Sequence, residues 1–413
     1  MSLQVAKYLF LLYIFSLGYM QPSFKIAGFT IPPSDLIFTL TFLFWLASII
    51  KKGDYLFRSS ISFVPLSVYF LAVCLSVLFS DSVQVSLIKL LGVAYLLMIP
   101  IVTLNLIENE TDLEKAVVAL IYGSLIAIFV GILSIAFFYL DNSNPLLYFT
   151  TYHYGSVPVG RYPRIRSTFV TPSLLFNYLS VVLAILLAAV EKELIKRKAL
   201  ILMIFATLTV CVFTFSSGFG GIFLTAGLWI YLEQDKKLAK TLSLLLSGLV
   251  ALLLYLVNFI ALQPHSTAPF SFKIFGLEFF PSARLLVWID STKTFLENPL
   301  FGKGIGTNSC QVLFQNTDGS FSFLTDAHNI FLSVATQSGI FGLIGILLIM
   351  IVVLRMSSKS NVLQRAFIIA FISAFVYQGL VGAFEDARHL WLLIGFIITA
   401  KNLELDSRRM KHL

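Results

Sequence analysis

The chain has 413 residues, of which 58% are hydrophobic and only 12% charged, with a formal net charge of +8. Soluble domains run at about 45–50% apolar and about 25% charged, so this composition excludes a water-soluble globular protein. The basic excess is scattered over short polar connections instead of forming one stripe, which argues against nucleic acid as a partner.

Twelve apolar runs reach the length needed to cross about 30 Å of hydrocarbon. They read as helices near residues 5–20, 34–50, 62–79, 84–107, 115–140, 171–190, 198–215, 217–232, 241–262, 327–354, 363–383 and 387–403. The runs are apolar on all faces, whereas strands of a membrane barrel would alternate apolar and polar residues. The expected fold is therefore an all-α integral membrane protein, with residues 1–413 forming one polytopic domain. The first run follows Lys7 and meets no small-x-small cleavage site before Gly18-Tyr19-Met20-Gln21-Pro22. It reads as an uncleaved signal anchor. Two runs depart from the pattern: Lys89 interrupts the fourth, and the eighth is short and Gly-rich.

Charge sets the expected topology. With both termini inside, nineteen of the 29 lysines and arginines fall in inner connections or tails, among them Lys51, Lys192, Lys236, Arg365 and Arg408. That bias follows the positive-inside rule and places the 141–170 and 263–326 connections outside. The 105–114 connection runs against it with Glu108, Glu110 and Asp112, although acidic residues weigh little in that rule.

Cys74 and Cys211 lie in apolar runs, and Cys310 lies in an outer connection without an obvious partner. No CxxC or Cys/His spacing suggests zinc, and no DxD or DxxD cluster suggests magnesium beside a nucleotide sugar, so no metal and no cofactor is expected. Transporters place ionisable groups near the bilayer midplane, within repeated halves. Here no repeat is evident, and the positions read as midplane hold little beyond Asn177, Asn258, Gln337 and Gln378.

The chemistry-capable side chains gather in the two outer connections. The first carries Arg161, Arg164 and Arg166 among Tyr, Gly and Pro residues, and ends where Pro172 opens a helix as a first-turn proline should. Guanidinium groups bind phosphate bidentately and keep their charge near lipid. A solvated or headgroup-binding rim is the blander reading of the same cluster.

In the second connection, Ser282–Pro299 reads as an amphipathic helix with Ser282 as N-cap. Leu285, Trp288, Ile289, Phe295 and Leu296 form one stripe, and Asp290, Lys293 and Glu297 share the other face. Such a helix lies along the membrane surface, with Arg284 in its first turn at the lipid–water boundary. Gly302-x-Gly304-x-Gly306 follows without the strand and helix that a dinucleotide site needs, and reads as a flexible turn letting backbone approach substrate. Asp326 then reads as the N-cap of the tenth helix, with His328 in its first turn. The helix field favours neutral imidazole, a competent general base, although a histidine that merely lines the interface fits the same pattern. Gly339, Gly342 and Gly345 beyond it permit close helix contact.

Three stretches carry a resemblance: Arg164-x-x-Ser-Thr-Phe-x-x-Pro172; Arg284…Trp288…Glu297-Asn-Pro299-Leu-Phe-Gly302-x-Gly304-x-Gly306; and His328-Asn329-x-x-Leu332 with Gly339-x-x-Gly342. The chain resembles the O-antigen ligase and polymerase superfamily of bacterial membrane glycosyltransferases along nearly its whole length. That resemblance implies a multi-pass protein of the bacterial inner membrane with its active site facing the periplasm. It implies transfer, with inversion, of a glycan from undecaprenyl pyrophosphate to a lipid A–core hydroxyl, without nucleotide or metal, among membrane lipids. A polymerase using a lipid-linked repeat unit as acceptor is the alternative, followed by a protein O-oligosaccharyltransferase or a lipid or glycan transporter.

The family's loop arginine falls on Arg164 or Arg166, its second arginine on Arg284 and its histidine on His328. His328 and Arg284 are thereby expected to be catalytic, with Arg164, Arg166 and Arg284 binding pyrophosphate. Two departures from the family pattern are Ser216-Ser217-Gly218, where an arginine is common, and Pro172-Ser173, where Pro-Asn is common.

Overall fold

In hydrocarbon every backbone N–H and C=O must bond within its own segment, so the apolar runs fold as helices. The computed structural model describes residues 2–26, 29–52, 63–152, 162–261, 271–274, 276–315, 321–357 and 361–410. Helices occupy all twelve expected positions: α1 Ser2–Ser16, α2 Pro33–Lys52, α3 Val64–Leu78, α4 Val83–Leu106, α5 Glu110–Leu140, α7 Pro172–Glu191, α8 Arg197–Phe213, α9 Gly220–Glu233, α10 Lys237–Leu256, α12 Ile330–Arg355, α13 Val362–Ala370 and α14 Arg388–Met410. The connections add α6 Leu146–Thr150 and α11 Ala283–Glu297. Six helices (α2, α4, α5, α7, α10 and α12) are long and apolar enough to cross a membrane, and α1, α3, α9 and α13 with its continuation are shorter apolar helices. Both departing runs, α4 and α9, are helical: Lys89 pairs with Asp386, and Gly227 lets α9 approach Ser247 of α10.

α7 is the central helix. Its span is 78% buried, and it packs against α5, α8, α9 and α13. α10 is peripheral at 11% buried and packs chiefly on α9. Beyond α13 the chain widens into π-helical turns over Phe371–Tyr377. Asn177, His389, Gln378 and Ser180 hydrogen-bond there in a buried chain of side chains.

The connections separate into two ends. At one, Lys7 pairs with Glu108 and Asp112, Lys192 with Glu110 and Glu114, and Arg365 with Glu191. At the other, Gln21 N–H donates to Thr168 O, Asp81 N–H to Lys303 O, and the Asn329 amide to Leu380 O. The second end carries short antiparallel strands that the helical periodicity did not anticipate: β1 Phe24–Ile26 with β2 Phe29–Ile31, a sheet of order β3-β5-β4 (Ile260–Ala261, Leu277–Pro281, Phe272–Ile274), and β6 Val312–Gln315 with β7 Phe321–Leu324. In the β6–β7 hairpin Val312 faces Leu324 and Gln315 faces Phe321.

Gly339 breaks the ladder of α12 with φ +64° and ψ −163°. The groups freed by the kink are taken by the segment after α11. Lys303 N–H donates to Thr336 O, Gly304 N–H to Gln337 O, and Ile340 N–H to Pro299 O. This corrects the reading of the glycine run as a flexible turn: its backbone is docked. A Cβ on Gly302 would stand 2.4 Å from the Gln337 carbonyl carbon, and one on Gly304 would stand 2.1 Å from Ser80 Oγ. The glycines allow backbone-to-backbone docking on α12 and the α3–α4 turn. Gly345 meets the expectation of close helix contact, since its Cβ would strike the backbone of Tyr69 in α3.

Candidate active site

α11 is built as its sequence suggests at its start. The Ser282 hydroxyl accepts from Leu285 N–H, capping the helix, and also donates to Asn258 O at 2.6 Å. The face against α12 is not the large apolar stripe, however: Val287, Ser291 and Thr294 are buried, whereas Ile289 and Leu296 are exposed. Arg284, in the first turn, donates from Nη1 to Asn258 Oδ1 at 2.7 Å. Asn258 therefore stands at the end of α10, not at a midplane. Gln337 likewise lies near the start of α12, where its Oε1 accepts from Gly306 N–H.

The two candidate arginines of the first connection part company. Arg166 spends its guanidinium on backbone: Nε donates to Phe149 O at 3.0 Å and Nη2 to Tyr148 O at 3.3 Å, gripping the end of α6. Arg164 lies over the Tyr152 ring at 5.6 Å and donates from Nε to Thr214 O, in the turn after α8. Burial lowers its pKa, partly offset by Tyr152. Arg164 is close enough to Arg284 that their like charges interact. Burial, then Arg164, push the Arg284 guanidinium down to about 10, with Asp326 opposing. Both remain cationic at neutral pH. Arg161 and His153 lie outside the described residues.

His328 is not in the first helical turn, and Asp326 is not the N-cap. Asn329 caps α12 by accepting from Phe331 and Leu332 N–H. His328 precedes the cap with φ +48°, and its N–H donates to Asp326 Oδ1 at 2.8 Å. The sequence misled because Asp and Asn both suit a cap, and Asp326 instead closes the turn that leads into it. The imidazole is half-exposed, with Nδ1 3.7 Å from Asp326 Oδ2. Burial lowers its pKa most; Asp326 raises it in part, and Arg284 adds a smaller lowering. Neutral imidazole is favoured, chiefly by burial and not by a helix end.

The sequence reading missed Glu385. In the connection before α14, its Oε1 accepts from Ser333 Oγ at 2.8 Å, while Oε2 is buried without a hydrogen-bond partner among the described residues. Burial and the adjacent Asp386 push its carboxyl up to about 7, against the pull of Lys89; Asp326 adds to the rise. The available signal was an acidic pair, Glu385-Asp386, between two apolar runs.

Residues 178–347 match the family model described as O-Antigen ligase. That stretch is similar to the O-antigen ligase superfamily. No curated protein matches the chain. The matched stretch runs from within α7 to beyond the kink of α12, so Arg284 and His328 fall inside the match, and Arg164, Arg166 and Glu385 lie in flanking sequence. With six helices among the described residues long and apolar enough to span a bilayer, the match supports a multi-pass membrane protein of the O-antigen ligase type. The candidate site thus draws on three connections, those before α7, between α10 and α12, and before α14.

Proposed function

We propose that the protein is an O-antigen ligase that moves a glycan from undecaprenyl pyrophosphate to a hydroxyl of lipid A–core at the periplasmic face of the bacterial inner membrane. The observation that carries this reading is the convergence of Arg164, Arg284 and His328, which lie within each other's electrostatic reach across Arg284. The positive-inside distribution of lysine and arginine supports an outward-facing site among twelve spans, with the 141–170 and 263–326 connections periplasmic.

In this reading the acceptor O–H gives its proton to His328 Nε2. The Asp326 carboxylate, 3.7 Å from Nδ1, stabilises by its charge the imidazolium that forms. The acceptor oxygen bonds to the anomeric carbon from the face opposite the leaving group, so configuration inverts. The bond from that carbon to the pyrophosphate oxygen breaks, and its electron pair leaves with the pyrophosphate. Arg284 and Arg164 stand where that charge develops, and prepositioned charge of this kind is commonly the largest catalytic contribution. Arg166 holds the loop in shape.

The deciding experiment is lipopolysaccharide analysis of a strain lacking the gene. Loss of long chains with polymer retained on undecaprenol supports a ligase. A single repeat unit on the core makes it a polymerase instead, and donor stranded on the cytoplasmic side makes it a transporter.

A further inference from the structure

We propose that the polar cavity between α11 and the glycine-rich segment is the subsite for the acceptor, and that it takes an uncharged, hydroxyl-rich saccharide; this rests on the transferase reading above. The cavity encloses about 650 Å³, within the roughly 300–1,000 Å³ of small-ligand sites. Its charges are of both signs: Asp81, Asp290 and Glu297 alternate with Lys293 and Lys303. Such a wall lacks the one-sided field that holds a phosphate. It supplies donors and acceptors together, as a sugar hydroxyl needs, having one O–H and two lone pairs. Thr307, Asn308 and Gln311 add neutral hydrogen-bonding groups. Asp290 Oδ2 accepts from Gln311 N–H at 2.8 Å and fixes one side of the cavity.

Its position links it to the chemistry. A second cavity of about 560 Å³ lies between α11 and the start of α12, against Trp288, Asn329 and Leu332. Lys293 lines both cavities. Asn329 follows His328 directly, and Trp288 lies about one helical turn beyond Arg284. The second cavity thus abuts the chain next to His328 and adjoins the polar cavity at Lys293. Trp288 gives the second cavity an apolar ring surface. Cys310, in the cavity wall, feels the charges of both Asp290 and Asp326, which places the cavity beside the His328 turn. Anion recognition and saccharide recognition are thus divided between two adjoining surfaces of unlike charge.

The test uses the full chain in lipid nanodiscs. The probe is the lipopolysaccharide core oligosaccharide of the organism that carries this chain, freed of lipid and phosphate, and binding is read by saturation-transfer difference NMR. Wild type is expected to bind it. Asn308→Trp, which fills the rim, is expected to weaken binding at least tenfold while undecaprenyl pyrophosphate still binds, the latter confirming the fold. Arg284→Ala is expected to do the reverse. Unchanged oligosaccharide binding in Asn308→Trp overturns the subsite, as does much tighter binding of the phosphorylated core. If wild type transfers glycan but ignores the oligosaccharide, the subsite fails and the transferase reading survives. If it binds the oligosaccharide but transfers nothing, the transferase reading fails.

Discussion

Arg284 is held from behind by Asn258: the 2.7 Å bond from Nη1 to Asn258 Oδ1 ties the first turn of α11 to the end of α10. A guanidinium so anchored keeps its remaining N–H donors in a fixed fork, which an ammonium does not reproduce. Arg284→Ala is expected to lower kcat by about 10²–10³-fold, the usual cost of removing one donor from a charge-stabilising site. Arg284→Lys is expected to recover little of that. Asn258→Leu, which keeps the arginine but frees its orientation, should fall between. Turnover by purified protein checks the series, and a Lys variant near wild type would leave only a point charge.

Arg164 and Arg166 differ by two positions and should differ in kind. Arg164→Ala removes a cation that Arg284 senses, so donor binding and turnover should both fall. Arg166→Ala removes bonds to the exposed Tyr148 and Phe149 carbonyls, which water can then take up, so its main effect should be on stability and modest, at about 0.5–1.5 kcal/mol. Donor titration together with thermal unfolding separates the two. Equal loss of donor affinity in both variants would contradict the assignment.

The helices were legible because their apolar runs are long, and Ser282 and Pro172 were legible because cap chemistry is local. The site was legible only in part. Arg284 and His328 stand beside recognisable stretches, whereas choosing Arg164 over Arg166 depends on which carbonyls each side chain reaches, and those are set by tertiary packing. Glu385 gained its role from Ser333, fifty-two positions earlier, which no periodicity reveals. The glycine run failed for the opposite reason: its φ > 0 requirement was visible, but its partner, the kink at Gly339, was not.

Glu385 should act as a neutral carboxyl over much of the working range. Its folded pKa, about 7, lies above the ordinary value of 4.5, so the folded state holds more protons between those values. Stability attributable to this group is then fully present below about 4.5 and is lost as pH rises through about 7. Glu385→Gln, permanently neutral, should remain active and should abolish that decline. Glu385→Ala strips Ser333 of its acceptor and should be destabilised at every pH. Melting temperatures from pH 4.5 to 8 check this, and parallel profiles for wild type and Gln would refute it.

Gly339→Ala tests the docking of the glycine segment. The new Cβ would stand 2.1 Å from Leu300 O, in a backbone conformation essentially reserved for glycine. The backbone strain alone costs about 1–3 kcal/mol, and the clash adds to it. Gly92→Ala in α4 is the contrast, since its Cβ would meet no atom within 4 Å and alanine favours a helix interior by about 0.5–1 kcal/mol. Thermal unfolding should move in opposite directions for the two variants.

His328→Gln addresses the chemistry most directly. Two features converge on this imidazole: the Asp326 carboxylate opposite Nδ1, and desolvation by its surroundings, aided by Arg284, which holds its pKa below the ordinary 6.5. A base must be neutral to accept a proton, so turnover rises with pH through the pKa of His328. Since that pKa is lowered, the acid limb should lie below pH 6.5. General-base catalysis contributes about 10²–10⁴-fold, so His328→Gln should lose that much in kcat while binding undecaprenyl pyrophosphate nearly as wild type does. Its residual activity should lack the acid limb, because glutamine has nothing to titrate there. Asp326→Asn withdraws the charge that steadies the imidazolium, and should shift the acid limb to still lower pH with a smaller fall in kcat. Should the Gln variant keep both rate and acid limb, His328 only positions substrate and the proton goes elsewhere.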